Sequence, residues 1–238
     1  MGHPGRSNLF QTNTLSDAAL TYNDASVLEN MHASLAFKIL HGSEKQEGAD
    51  IFVGMSDEQA RAVRRLVIDA VLATDMVHHF ASVDKVKGIH LSYLAGIDSQ
   101  GLNGSRHSND RSSHGPIFHT FGSEDSWDVL MFSLHAADLS SQAKPHQLAN
   151  EWTDRCLDEF FEQGDEEKRL CLPISPLCDR ETTKRADSQI GFIKFVVAPT
   201  YEILGKVFPQ IQHNILPLLN ANLEYWKQQK EKEAVVGG

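Results

Sequence analysis

The sequence has few cysteines and no long apolar run. Its three cysteines, Cys156, Cys171 and Cys178, include no closely spaced pair, so they favour reduced thiols in an intracellular compartment over a disulfide framework. No apolar run approaches the roughly 20 residues that a membrane helix needs, and residues 1–6 lack the apolar core of a signal peptide. We therefore expect a cytoplasmic protein without a transmembrane segment.

Basic residues are outnumbered by acidic ones, 22 against 32, which gives a formal net charge of -10. A protein that binds a nucleic-acid backbone needs clustered Lys and Arg, so the composition argues against nucleic acid as a partner. A small anionic ligand remains compatible with this charge where local cations or a metal ion reverse the field.

The sequence also lacks the alternation of apolar and polar residues that is typical of strands. Apolar residues recur instead at three-and-four spacing, as in Leu28, Met31 and Leu35, which favours amphipathic helices. The pattern predicts an all-α fold, a multi-helix bundle. The predicted helices cover residues 13–20, 26–41, 56–79, 123–138, 145–164, 180–197 and 208–232.

Several helix ends are marked by capping residues. Ser26 with Glu29 three residues later predicts a capping box. Ser56, followed by two acidic residues, predicts an N-cap that suits the helix dipole. Gly164 is expected to close the helix that starts after Pro145.

One long stretch has no helical periodicity. Residues 96–123 are rich in Gly, Ser, Asn and His, which predicts a long surface loop or insertion. We expect one domain over residues 1–232 that contains this loop, and a disordered tail over 233–238.

The stretch from Ser133 to Ser140 begins as an apolar helix and ends in Asp138. A carboxylate among small apolar neighbours costs several kcal/mol if it stays unpaired, so Asp138 is expected to need a cation. The alternative is that Asp138 caps the next segment, and this stretch alone leaves both interpretations open.

Polar residues also stand at the ends of other apolar helices. Singly, each has a structural explanation, such as a helical threonine that bonds to its own backbone. Together they could supply oxygen ligands for a magnesium-like ion, or imidazole and carboxylate for a zinc-like one. The residues are His3, Asn8, Glu29, His32, Thr74, Asp75, Asp138 and Gln189.

The segment from His3 to Asn8, His-Pro-Gly-Arg-Ser-Asn, resembles the second half of the His-Asp-x-x-His-x-Gly-x-x-Asn signature of the class I 3′,5′-cyclic nucleotide phosphodiesterases. The resemblance extends from residue 1 to about 226, so the chain is similar to the C-terminal two-thirds of that family's all-α catalytic domain. The other segments that follow in the family's order, at about its spacing, are 22–30, 73–76, 135–140, 151–155, 160–165, 174–179 and 188–193.

The resemblance implies a site that hydrolyses cyclic AMP, cyclic GMP or both to the 5′-monophosphate with two metal ions, Zn2+ and Mg2+ (or Mn2+). It implies that Asp138 bridges the metals. His3 and His32 would be catalytic residues near the metal-bound hydroxide and the phosphate.

Further roles follow from the same resemblance. Glu29, Thr74 and Asp75 would lie around the metal ions and hold their waters. The purine base would meet Gln189, which offers an amide donor and acceptor, and would stack on Phe192. Ser141 stands where some relatives have an asparagine that faces the base.

The sequence departs from the family's pattern at its beginning. The other three metal ligands and the general-acid histidine of the family lie upstream of the position where this chain has Met1. A zinc-like ion needs three or four protein ligands, and a magnesium-like ion binds weakly through one carboxylate. We therefore expect this chain to bind the metals weakly or not at all and to have no appreciable phosphodiesterase activity.

These observations favour a fragment of a phosphodiesterase whose full-length parent is the enzyme. The alternative is a truncated product that acts as a non-catalytic cyclic-nucleotide-binding or protein-interaction module. A helical hydrolase of another phosphate ester fits the segment from Gln189 to Phe192 poorly. The expected partners are a cyclic nucleotide and, on apolar helix faces left uncovered, a second copy of the chain or a missing N-terminal region.

Overall fold

The computed structural model describes the backbone of residues 2–41, 51–101 and 123–236, and the side chains of 2–40, 51–95 and 124–235. Helices account for nearly all regular structure in these ranges, and no strand occurs in them, so the predicted all-α fold is confirmed. The helices are α1 (Asn8–Asn13), α2 (Asp17–Tyr22), α3 (Val27–His41), α4 (Asp57–Leu72), α5 (His79–Gly101), α6 (Ser123–Asp138), α7 (His146–Arg169), α8 (Arg185–Phe192), α9 (Ala198–Val207), α10 (Pro209–Asn214) and α11 (Leu216–Val236).

Within the described ranges, shorter helical segments connect some of these elements. Met76–His78 and Ser140–Ala143 are turns of 3-10 helix. Ile193–Val197 is a π-helical segment that joins α8 directly to α9. A π-helical turn inside an α-helix is rare and is frequent at functional sites.

The chain forms two compact units. The first comprises residues 1–76 and 154–183, and the second comprises 77–153 and 184–238. In the first unit the rings of Phe37 and Phe52 stack at 6.1 Å. The core of the second unit lies between α5, α6, α8, α9 and α11, where Ile193, Val197 and Trp226 are at most 1% exposed.

Most predicted helix centres are correct, and several ends differ. The predicted helix over 13–20 is instead α1 and α2, with Ser7 and Ser16 as N-caps. Ser56 caps α4 as predicted, and Gln59 completes a capping box with it. The helix predicted to reach residue 79 ends at Leu72.

The predictions for Gly164 and for the loop at 96–123 are wrong in part. Gly164 does not close α7, which continues to Arg169, because the glycine packs against the backbone of Cys178. The predicted loop at 96–123 begins later than expected, since α5 continues through Gly101 and α6 starts at Ser123. Residues 102–122 lie outside the described residues.

After residue 180, a predicted helix is divided into two, and the last helix extends further than predicted. The helix expected over 180–197 starts at Arg185, and the one expected over 208–232 is divided into α10 and α11. α11 continues to Val236, so most of the predicted disordered tail at 233–238 is helical, and residues 237–238 lie outside the described residues.

The three cysteines are free, with Cys178 buried and the other two exposed, as expected for reduced thiols. Burial and, second, the charge of Glu167 raise the pKa of the Cys178 thiol to about 11. In the described parts of the chain, no single helix is long and apolar enough to cross a membrane. The consecutive helices Asp57–Leu72 and Met76–Ala95 reach such a length and apolar content only when they are taken together.

Candidate functional site

Residues 3–8 form the segment that we call the signature turn. Hydrogen bonds of Asn8 connect this turn to the start of α3. The Asn8 Nδ2 donates to Glu29 Oε2 at 2.8 Å, and the Asn8 Oδ1 accepts from the backbone N–H of Leu28 at 2.8 Å. Asn8 therefore orients the Glu29 carboxylate and satisfies one of the free N–H groups at the helix start.

This arrangement replaces the predicted capping box of Ser26 and Glu29, which is wrong. The Ser26 hydroxyl donates to Asp75 Oδ2 at 2.8 Å, and Ser26 itself has a positive φ of 42°. Partners that are distant in sequence thus take both groups that local capping would have used. Asp75 is only 7% exposed, and this hydrogen bond accounts for one of its carboxylate oxygens.

His3 lies beside a second imidazole and a carboxylate. Its Nε2 is 3.0 Å from Glu159 Oε1 on α7, and its ring centroid is 5.8 Å from that of His32 on α3. His3 is exposed and His32 is half-buried. The structure therefore brings the two predicted catalytic histidines together in the first unit.

Thr74 follows α4 and is half-buried. Its hydroxyl donates to the backbone oxygen of Val71 at 2.7 Å. The Thr74 hydroxyl thus bonds to the backbone of the preceding helix, which is the structural explanation given for such a threonine in the sequence analysis. A role for Thr74 in holding metal-bound water stays a prediction.

Asp138 is the last residue of α6, and its side chain is exposed. The expectation that it is a desolvated carboxylate among apolar neighbours is wrong, because water reaches its side chain at the helix end. Its role as a metal ligand stays a prediction that depends on the resemblance alone.

The buried polar residue of that stretch is His135. Its Nε2 lies 2.9 Å from Nδ1 of His79, and both imidazoles are 1% exposed. Burial and, second, the charge of His135 lower the pKa of His79 below its usual value, so this histidine is neutral near pH 7. The pair fixes α5 against α6 in the second unit.

The predicted base-binding residues lie on α8. Gln189 is 8% exposed, and Phe192, one turn later, is partly buried against the core of the second unit. The Gln189 Oε1 accepts from Gln142 Nε2 at 2.9 Å, and Thr153 Oγ1 lies 3.3 Å from the same oxygen. Ser141 belongs to the 3-10 turn that carries Gln142.

Sequence reasoning missed Gln142 and Trp226. Gln142 is fully buried, and its Oε1 accepts a hydrogen bond from the Trp226 indole N–H at 3.1 Å. Trp226 lies 84 positions later in the sequence. No local spacing in the sequence marks this pairing. The one available signal was a glutamine next to Ser141, in a segment already assigned to the base.

The donor set for a metal ion is small. Among the described residues, no group of three or more His, Cys, Asp or Glu side chains is placed to hold a metal ion. Asp138 is one carboxylate, and a structural or catalytic zinc-like ion takes three or four protein ligands. The residues present do not complete such a centre.

Comparison with known proteins identifies relatives along nearly the whole chain. A family model described as 3′5′-cyclic nucleotide phosphodiesterase matches residues 1–218. The chain is 38% identical over 225 residues to the 3′,5′-cyclic-AMP phosphodiesterase 4C of Mus musculus. This alignment covers 94% of the chain and 30% of the relative. The same enzyme of Rattus norvegicus is also 38% identical over 225 residues, with 94% of this chain and 38% of the relative covered. The chain thus spans about a third of the length of these curated relatives.

Solved structures give the same result. The phosphodiesterase domain of the RhoPDE fusion protein from the choanoflagellate Salpingoeca rosetta is 30% identical with a TM-score of 0.79, and the match covers 98% of this chain and 66% of that one. A second structure of the rhodopsin phosphodiesterase domain of Salpingoeca rosetta is 29% identical with a TM-score of 0.81, covering 100% of this chain and 64% of the other. The chain belongs to the 3′,5′-cyclic nucleotide phosphodiesterase family.

Proposed function

We propose that the full-length protein hydrolyses a 3′,5′-cyclic nucleotide to the 5′-monophosphate, and that its substrate is cyclic AMP. The observation that carries the proposal is the family match over residues 1–218, which includes the segment from Gln189 to Phe192. The substrate follows from the two rodent relatives, which are named as cyclic-AMP phosphodiesterases.

This chain would contribute the base-binding residues and part of the surroundings of the phosphate. The amide of Gln189 can pair with the edge of a purine, since it has both a donor and an acceptor. The ring of Phe192, which follows on the same helix, would stack on the base, an interaction that is worth about 1–3 kcal/mol per base in other nucleotide sites. Ser141 would be a neutral neighbour of the base.

Members of the family are metal-dependent in general. We propose Zn2+ and Mg2+ (or Mn2+) as the ions of the full-length protein, with Asp138 as a direct ligand and Glu29, Thr74 and Asp75 around the bound waters. Because the described residues include no group of three or more potential ligands for a zinc-like ion, we expect this chain alone to hydrolyse no cyclic nucleotide.

His3 and His32 are proposed as the catalytic histidines that the chain does contain. The Glu159 carboxylate, 3.0 Å from His3 Nε2, would orient the imidazole. An imidazole N–H can donate a hydrogen bond to a phosphoryl oxygen.

A non-catalytic cyclic-nucleotide-binding module is the second candidate. The observation that favours it is that Gln189, Gln142 and Trp226 form one hydrogen-bonded set inside the second unit. The proposed base-binding residues would thus be held by contacts within this chain, whereas no group of three or more potential metal ligands occurs among the described residues.

We propose the cytosol as the compartment, supported by the free cysteines.

A further surface would bind either a second copy or a preceding segment of a longer protein. Its support is a stripe on α6, where Trp127, Leu130 and Leu134 are 43%, 43% and 46% exposed at three-and-four spacing.

The proposed function predicts that base recognition depends on Gln189. Replacing Gln189 with leucine removes both the donor and the acceptor and should weaken cyclic AMP binding about ten-fold or more, because the base edge then loses its partners. Equilibrium dialysis with labelled cyclic AMP measures this directly. The matched control is Gln147→Leu, an exposed glutamine on α7, which should leave binding unchanged. Equal affinity of the wild type and the Gln189 variant would contradict the assignment.

A further inference from the structure

Three polar residues follow one another at intervals of four along one face of α7, namely Glu159, Gln163 and Glu167. We call these three residues the α7 stripe. The Glu159 side chain is 42% exposed, whereas Gln163 is 3% exposed and Glu167 is fully buried. Because a buried polar side chain needs hydrogen-bond partners, the contacts of the buried half identify the segments that the stripe holds.

Gln163 connects the α7 stripe to the signature turn. The Ser7 backbone N–H donates to Gln163 Oε1 at 2.8 Å. Ser7 is the N-cap of α1, and the N–H groups at the start of an α-helix have no acceptor within the helix. Gln163 therefore supplies an acceptor from α7 to the backbone of the turn, four residues after His3.

Glu167 determines which end of the Gln163 amide faces the turn. The Gln163 Nε2 donates to Glu167 Oε1 at 2.9 Å. The same carboxylate accepts from the Ser175 hydroxyl at 2.6 Å and from the Ser175 backbone N–H at 2.7 Å. A carboxylate can only accept, so it keeps the NH2 group of Gln163 on its own side. The amide oxygen is then directed at the Ser7 N–H.

The contact between His3 and Glu159 is the weaker of the two contacts that join the turn to the stripe. These side chains are 44% and 42% exposed, and water screens the attraction between exposed groups. The Gln163 amide is shielded from water, so breaking its bond to Ser7 would leave a buried acceptor unpaired, which is costly. Gln163 is therefore the stronger anchor of the turn on α7.

The signature turn is also held at its other end. Asn8 makes two hydrogen bonds to the start of α3, the helix that carries His32. Between His3 and Ser7 the chain passes through Gly5 with a φ of 68°, a conformation that glycine adopts without steric cost. Anchored on α3 and on α7, the turn presents the His3 ring with its centroid 5.8 Å from that of His32.

We propose that Gln163 and Glu167 are positioning residues, which fix the signature turn on α7 and thereby hold His3 beside His32. The role of His3 toward the phosphate rests on the proposed function, whereas the anchoring of the turn does not depend on it. The Gln163 amide is directed at Ser7 and Glu167, inside the first unit, so its effect on a bound nucleotide would pass through His3.

The first test measures hydrogen exchange of the Ser7 amide by NMR on the unliganded chain. In the Gln163→Leu variant this proton should exchange about ten-fold faster than in the wild type, because its acceptor is gone. The amides of α7 in the same spectra show whether the helix stays folded. The control Gln147→Leu alters an exposed glutamine of α7 and should leave Ser7 unchanged. Equal Ser7 exchange in the wild type and in Gln163→Leu would overturn the anchoring.

The variant Gln163→Glu gives a pH profile that a general loss of packing would not produce. While it holds a proton, the introduced carboxyl can donate to Glu167 and accept from Ser7, as the amide does. Two ionised carboxylates at this distance repel each other, which raises the apparent pKa of the pair. The wild-type position of the Ser7 amide cross-peak should therefore be present below that pKa and lost as the pH rises through it. A Ser7 cross-peak that is displaced equally at every pH between about 5 and 8 would contradict the role of Gln163.

A double-mutant cycle on cyclic AMP binding tests whether Gln163 acts through His3. We expect Gln163→Leu and His3→Ala each to weaken binding about three-fold or more, and the double variant to bind as tightly as His3→Ala alone. Additive losses, or unchanged binding in Gln163→Leu, would contradict the positioning of His3. A chain that binds no cyclic AMP contradicts the proposed function, while the Ser7 measurements still decide whether Gln163 anchors the turn.

Discussion

Replacing Gly164 with alanine is expected to abolish stable folding of the first unit. Gly164 lies inside α7, and a Cβ built on it would be 1.9 Å from the backbone oxygen of Cys178 and 2.6 Å from its carbonyl carbon. The atoms in the way belong to backbone and cannot rotate aside like the end of a side chain. We expect a loss of about 3 kcal/mol or more, at or beyond the upper end of overpacking effects in protein cores.

Urea unfolding followed by circular dichroism measures this loss. The matched control is Gly88→Ala, since Gly88 lies in α5 and its added Cβ would meet no atom within 4 Å. That variant should be more stable than the wild type by about 0.5–1 kcal/mol, because alanine favours helix over glycine. Similar unfolding midpoints for the two variants would contradict the packing of α7 against Cys178.

Replacing Glu167 with alanine is the second substitution with a large expected effect. Glu167 is fully buried and accepts from the Ser175 backbone N–H at 2.7 Å, the Ser175 hydroxyl at 2.6 Å and Gln163 Nε2 at 2.9 Å. Gln163 in turn accepts from the Ser7 backbone N–H at 2.8 Å, so the network reaches the signature turn.

Truncation of Glu167 leaves one buried donor on Gln163 and two half-buried donors on Ser175 without their acceptor. Each such hydrogen bond to a charged group contributes about 1.5–3 kcal/mol, and partial compensation by water leads us to expect a net loss of about 3 kcal/mol. Thermal unfolding measures it, with Glu162→Ala on the exposed side of α7 as the control, expected to change stability by less than about 0.5 kcal/mol. A Glu167 variant as stable as the control would show that the network is not needed for folding.

The sequence was sufficient for the fold class because the signals for helices are local. Three-and-four spacing on α3 and the N-cap at Ser56 depend on residues within one or two turns. Ser26 has the same local pattern as Ser56, yet its hydroxyl bonds to Asp75, 49 residues away. A capping pattern therefore predicts that a helix starts nearby more securely than it predicts which group satisfies its N–H.

Gly164 illustrates a second limit. A glycine near the end of an apolar pattern predicts a C-cap, but the same residue type is needed where another backbone approaches a helix closely. The approach of Cys178 comes from a later segment, and no spacing within α7 reports it. The helix was therefore predicted to end five residues before its last residue, Arg169.

The resemblance gave residues for the candidate site, whose roles stay predictions, and it did not give their contacts. The resemblance identified Gln189 and Phe192, and the structure places them one turn apart on α8. It did not identify Gln142, because the hydrogen-bond partners Trp226 and Asn222 of that residue come from α11, 84 and 80 positions later in the chain. The prediction that Asp138 is buried is wrong, because the apolar neighbours of a residue in sequence need not surround it at a helix end.

We propose, as the central claim, that this chain carries the base-binding residues of a cyclic nucleotide phosphodiesterase and that its described residues supply too few metal ligands for hydrolysis. The most direct measurement incubates the purified 238-residue chain with cyclic AMP, zinc and magnesium, and follows both binding and formation of 5′-AMP. We predict saturable binding that is about ten-fold or more weaker in the Gln189→Leu variant, and no 5′-AMP above the buffer control. Turnover of cyclic AMP by the wild-type chain would contradict this account.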